Sequence, residues 1–207
     1  RVPLDGHAPA KVIYEEQACV ALHAQWSPTD PDWLIYDRKF LTPLDEQGFT
    51  YHKVKHLWSL HLPSRALTDL GSPTGADTQV HSCWTWDGSA AIYHCPTPEG
   101  YVIGLVRPDG ECIWEHQSPD WRYYGHVGAM AGRPAILLDG NLTPDLLLWM
   151  YYDDAMPRIE VVCRHGTQWD GAPGQHSHPH PVSDPTGRYV VYNVGHKGRS
   201  DVWLVEV

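Results

Sequence analysis

A histidine returns four times along this chain in the same local setting, ahead of a turn and a short apolar run, and this repeat constrains the fold most. His23 is followed by Trp26, Ser27-Pro28 and Asp32, then by the run Trp33 to Tyr36. His81 is followed by Trp84, Asp87-Gly88 and Ala91 to Tyr93. His126 leads to Met130, Ala135 to Leu138 and Asp139-Gly140. His178 and His180 lead to Pro181, Ser183-Asp184, Gly187 and Tyr189 to Val194. A unit of roughly 40 to 50 residues holding about four strands is the size of a β-propeller blade.

The rest of the pattern agrees. Apolar runs at Leu57 to Leu62, Tyr101 to Val106, Leu146 to Tyr151, Ile159 to Cys163 and Val202 to Val207 are short and rich in β-branched or aromatic residues. They are bounded by Gly, Pro, Asp or Ser, as strands of an all-β protein are. Asp87-Gly88, Asp109-Gly110, Asp139-Gly140 and Pro185-Thr186-Gly187 supply turn residues that tolerate positive φ. The expected fold is therefore an all-β β-propeller of about four blades within residues 1–207, either a small ring or the C-terminal part of a larger one. In such a ring the innermost strand of every blade starts at one rim of the central channel. A histidine just before each such strand gathers the imidazoles around one funnel, and closure is expected to come from a partner copy where the blades of one chain fall short.

Composition narrows the function classes. Acidic residues outnumber basic ones 25 to 15, and no Lys/Arg cluster offers a face for phosphates, so no nucleic-acid partner is expected. The longest apolar stretch, Leu146 to Tyr152, is too short to span a bilayer as a helix, so no membrane is expected either. The five cysteines are odd in number and form no C-x-x-C pair, which favours a reducing, cytoplasmic setting over a disulfide framework.

The densest chemistry is Gly174-Gln175-His176-Ser177-His178-Pro179-His180-Pro181. In an extended segment His176, His178 and His180 share one side, and the two prolines hold that segment out of helix. Neutral imidazole is the commonest side-chain metal ligand, and an amide oxygen suits a harder divalent ion. H-x-H also occurs in cupins, with Asp184 as the imitated carboxylate, but the glycine expected beyond it is missing.

These residues resemble the oligogalacturonate lyases, seven-bladed propellers of pectin degradation. The likeness is carried by Thr29-Asp30-Pro31-Asp32, by His81 to Gly88, and by Gln175 through Glu206, where the Q-x-x-H-x-H run is the specific part. The resemblance implies a Mn2+ ion held by His126, Gln175, His178 and His180, with His81 as the proton-abstracting base. It implies an arginine beside the base where this chain has His56, just ahead of Leu57-Trp58; Lys53, Lys55 and Arg65 are the cations nearby. The site expected from it is therefore His81 and His56 as catalytic residues, and His23 and Arg65 on a uronate oligosaccharide substrate. The implied reaction is β-elimination of oligogalacturonides or related uronates, the metal neutralising the uronate carboxylate. The competing expectation is a saccharide- or protein-binding propeller that retains a metal site without catalysis. Trp84, Trp86, Tyr123 and Tyr124 are near these loops as stacking surfaces or ordinary packing. His7, His52, His61, His94, His116, His165 and His196 have no phased partner and are expected at the surface or in turns.

Overall fold

The computed structural model describes residues 9–16, 19–44, 48–51, 56–73, 80–120, 125–140, 143–168, 178–196 and 199–207. Among them every regular element is a β-strand, and no helix is long and apolar enough to cross a membrane. The strands make four antiparallel sheets, the blades of a four-bladed β-propeller. The first holds β1 (Cys19–Trp26), β2 (Trp33–Leu44), β4 (His56–His61) and β5 (Ala66–Asp69), with β3 (Gly48–Tyr51) paired to the far half of β2. The second runs β6 (Val80–Trp84), β7 (Ala91–Thr97), β8 (Gly100–Val106) and β9 (Cys112–Ser118). The third runs β10 (His126–Ala129), β11 (Ala135–Asp139), β12 (Leu146–Tyr151) and β13 (Arg158–Arg164). The last has β14 (Val182–Ser183), β15 (Tyr189–His196) and β16 (Arg199–Glu206).

Alternation along each second strand explains why these strands read as unbroken apolar runs. Successive side chains point to opposite faces, and on β7 and β11, in the two middle blades, each face is covered by a neighbouring blade. On β7, Ala91, Tyr93 and Cys95 pack with Ile35 and Leu57 of blade 1, while Ile92 packs with Val127, Ile136 and Leu138 of blade 3. On β11, Leu137 turns the other way, to Val190, Tyr192 and Val194 of blade 4. The outer face of blade 1 is closed by Tyr14 over Leu34, Tyr36 and Leu60, whereas Val182, Val202 and Leu204 on the last blade are exposed.

The turns behave as their residues dictate. Gly88 has φ +71°, and a Cβ there would meet Thr29 Oγ1 at 2.3 Å and Ser27 Oγ at 2.8 Å. The turn after β6 therefore lies directly on the turn after β1, where Thr29 Oγ1 donates to the Asp87 carbonyl (2.9 Å).

One sequence expectation needs correction. The runs Trp33 to Tyr36, Ala91 to Tyr93, Ala135 to Leu138 and Tyr189 to Val194 are the second strands of their blades, β2, β7, β11 and β15, not the innermost ones. The innermost strands are β1, β6, β10 and β14; His23, His81 and His126 lie within the first three and His180 just ahead of the fourth. The sequence hides them because they line the channel and carry few large apolar side chains.

Candidate metal centre

The four inner strands present a histidine at one equivalent station. His23, His81, His126 and His180 each stand three residues before the residue that pairs with the start of the second strand: Trp26 with Leu34, Trp84 with Ala91, Ala129 with Ile136, Ser183 with Val190. In blades 1 and 2 the histidine occupies a β-bulge, because the register slips between Leu22 and Gln25 and between Val80 and Cys83. His23 and His81 have φ +51° and His180 has φ +43°, a left-handed conformation that is costly for a residue with a Cβ. A bulge re-aims a side chain, and here it brings the rings of His23 and His81 to 5.7 Å of each other.

Three of the rings meet. The ligand nitrogens of His126, His178 and His180 lie within 4.8 Å of one another. The ring centroid of His126 is 3.7 Å from that of His180 and 5.1 Å from that of His178, and the last two are 5.6 Å apart. His81 adjoins this cluster, 4.5 Å from His126, and His23 follows at 5.7 Å on the far side of His81. The imidazoles therefore form a row along the rim, in the order of the blades.

A second row lies behind the first. His126 is buried, and its Nδ1 is 3.1 and 3.2 Å from the two carboxylate oxygens of the fully buried Asp139. The main-chain N–H of His126 also donates to Asp139, and that of His180 donates to Asp139 Oδ2 at 2.9 Å. Burial alone pushes the Asp139 carboxyl up, but the hydrogen bonds and charge of His126 and the His180 amide outweigh it and hold the group below the usual carboxylate range. In blade 1 the equivalent residue is Asp37, 1% exposed, with Oδ2 2.7 Å from His23 Nδ1. In blade 2 it is His94, completely buried, its ring 6.1 Å from that of His81. Burial, helped by the neighbouring His81 and His126 and opposed by Asp139, lowers the His94 pKa to about 3, so this ring is neutral. Burial first, then His126, also lowers His180, which keeps it in the form that can ligate a cation.

This second row escaped the sequence reading, and His94 overturns its expectation directly: it is core, not surface or turn. His165 is likewise buried, its Nδ1 accepting from the Thr167 amide (2.9 Å). A signal for the row exists. Asp37, His94, Asp139 and Asn193 each directly follow an apolar pair, as Ile-Tyr-Asp, Ile-Tyr-His, Leu-Leu-Asp and Val-Tyr-Asn.

The other expected site residues are placed as follows. Gln175, His176, Tyr123 and Tyr124 lie outside the described residues. His56 opens β4 opposite Arg38, whose guanidinium pairs with Glu16 and stacks 4.3 Å from the Trp58 ring. Arg65, φ +61°, is in the turn beyond the other end of β4 and donates to the Ile13 carbonyl, so the fold does not bring it to the imidazoles. Trp84 is buried and donates to the Gln25 carbonyl (3.1 Å), while Trp86 is exposed. Farther along the channel Gln25, Trp26, Cys83, Val127 and Pro181 line a cavity of about 330 Å³ that the histidines do not touch. All five cysteines are free.

The donor set suits a divalent transition metal. Three imidazoles converge, one with its tautomer set by a buried carboxylate, which is the usual support of a metal-bound histidine. Three protein ligands leave positions for a ligand amide, substrate or water.

No family model matches the chain, and no curated protein matches it. Among solved structures it is similar to an oligogalacturonate lyase in complex with manganese (16% identity, TM-score 0.64, covering 91% of this chain and 48% of that one). It is similar to an oligogalacturonate lyase from Vibrio parahaemolyticus at 20% identity and TM-score 0.63, covering 89% and 48%. It is also similar to the Swd1 β-propeller domain from Myceliophteria thermophila, at 11% identity and TM-score 0.58, covering 90% and 55%. The chain spans about half the length of these lyases, and likenesses at such identity carry the fold: a β-propeller.

Proposed function

We propose that this chain carries the metal centre and base of a lyase that cleaves uronate oligosaccharides, oligogalacturonides foremost, by β-elimination. The observation that carries the reading is the placement of His81: 4.5 Å from His126, beside three imidazoles close enough to share one cation, yet outside that set. The solved lyases support it, one of them as a manganese complex.

The chemistry sets the requirements. The C5 proton of a uronate is weakly acidic because the adjacent carboxylate is already anionic. A divalent cation such as Mn2+, held by His126, His178 and His180 and by Gln175 as the resemblance implies, supplies the charge that makes a carbanion beside that carboxylate tolerable. Asp139 fixes the His126 ring so that Nε2 is its free ligand nitrogen. His81 removes the proton. Its Nδ1 is buried, so Nε2 is the nitrogen that faces the channel. Histidine suits general-base work near neutral pH.

With manganese and trigalacturonate, turnover gives an unsaturated product that absorbs in the ultraviolet. His81→Ala abolishes the absorbance while the protein still binds manganese; His178→Ala loses both. A second reading is favoured by the histidine at position 56, where the resemblance implies arginine: a propeller that binds saccharide without cleaving it. Calorimetric binding of trigalacturonate with no absorbance change would establish that alternative instead.

A further inference from the structure

We propose that His23, oriented by the buried Asp37, is the acid of this reaction, returning a proton to the sugar oxygen that departs from C4; the inference rests on the uronate-lyase reading. Three adjacent carbons take part in the elimination: C6 with its carboxylate, C5 with its proton, and C4 with its leaving oxygen. The rim presents three adjacent stations in the matching order. The His126–His178–His180 cluster comes first, His81 lies 4.5 Å from His126, and His23 lies 5.7 Å beyond His81. In a galacturonate H5 and O4 point from opposite ring faces, so a sugar with its carboxylate at the cluster reaches both rings only with its C4–C5 edge between them, H5 toward His81 and O4 toward His23.

The surroundings of His23 suit an acid. Its Nδ1 is 2.7 Å from Oδ2 of Asp37, and a carboxylate acceptor makes that nitrogen the one bearing hydrogen. The opposite edge, Nε2, is free to meet a ligand, because the His23 side chain is 47% exposed while that of Asp37 is 1% exposed. The buried carboxylate holds the ring in one orientation and tautomer, as the aspartate of a serine-protease triad does for its histidine. Asp37 shares a strand face with Ile35, which packs onto blade 2, so the pair leans toward His81. His23 also has the bulge and the φ of His81, so the two rings are delivered by one backbone device used twice.

The step balances within the protein. His81 takes the C5 proton, the C5–H pair becomes the C4–C5 double bond, and the C4–O4 bond breaks with its electrons on oxygen. His23 gives its Nε2 proton to that oxygen. His81 is then one proton richer and His23 one poorer, and passage of a proton between the neighbouring rings through solvent restores both. Asp37 touches no reacting atom and is a positioning residue.

The experiment varies the leaving group. Wild type, His23→Ala, Asp37→Asn and His81→Ala are each loaded with manganese and assayed on trigalacturonate and on a galacturonate glycoside bearing 4-nitrophenyl at O4, whose phenolate departs without a proton. His23→Ala is expected to lose roughly a hundredfold or more in kcat on the sugar leaving group but less than about threefold on nitrophenyl. Asp37→Asn is expected to fall in the same direction by roughly tenfold, with a changed ring-nitrogen NMR signal for His23. His81→Ala loses both substrates. Equal losses of His23→Ala on the two substrates, or none, would overturn the assignment while leaving the lyase reading intact. A wild-type protein that binds manganese and turns over neither substrate overturns both.

Discussion

Blades 2 and 3 offer a histidine at the same station of the same strand, yet place different chemistry behind it. Behind His126 is the carboxylate of Asp139, which takes the Nδ1 hydrogen and commits the opposite nitrogen to the channel. Behind His81 is His94, a neutral imidazole with no charge to lend. A carboxylate fixes the tautomer of the histidine in front of it, at His126 as at His23; the neutral ring behind His81 supplies no such counter-charge. On the proposed reading the same station supplies a ligand in blade 3 and a base in blade 2, and the partner behind each ring comes from the second strand.

The strongest way to break this comparison is to remove each histidine and measure manganese binding by calorimetry. His126→Ala is expected to weaken binding by well over a hundredfold, beyond the roughly 10–100-fold that losing a supporting partner costs. His81→Ala should leave it nearly unchanged, and comparable losses would erase the distinction between the blades. The partners come next: Asp139→Asn should weaken manganese binding by roughly 10–100-fold, whereas His94→Gln should not.

A pH titration sharpens the same contrast. The folded pKa of His94 is depressed, so the unfolded chain binds the proton more readily and acid favours unfolding. The stability associated with a neutral His94 is complete above about pH 6.5 and drains away as pH falls toward 3, by on the order of 3 kcal/mol at pH 4. Chemical denaturation of the wild type and His94→Gln at both ends of that window should show a flatter profile for the variant. The smallest effect concerns the frame. Gly88→Ala, with φ +71° and Thr29 and Ser27 in the way, should lower stability by about 1–3 kcal/mol without altering manganese affinity.

The second strands of the two middle blades were legible because burial on both faces makes them apolar, as in Ala135–Asp139 where every residue is buried, while Tyr189–His196 alternates buried and half-buried residues but keeps Val and Tyr on both faces. Their inner neighbours were not, since β10 reads His-Val-Gly-Ala and β14 only Val-Ser, too short and too small to show a period. That His126, His178 and His180 come together was legible from residue type and from the resemblance. His180, rather than His178, turns out to share the station of the other three, a fact that register reveals and spacing does not. Asp139 was legible only as half of an Asp-Gly turn. Gly140 does serve that turn, with φ +75°, but the aspartate beside it faces inward. Nothing local tells a turn aspartate from one aimed at the partner strand, because the difference lies in His126, thirteen residues upstream.

That inward aspartate has a mechanical consequence. Its two oxygens accept from the main chain and ring of His126 in one sheet and from the main chain of His180 in the next. The carboxylate is thus a latch across the seam between two sheets. A slide of the last sheet against its neighbour must strip a buried anion of a donor before it can separate the rings, so the spacing of the imidazoles is guarded by the same bond that holds the seam shut.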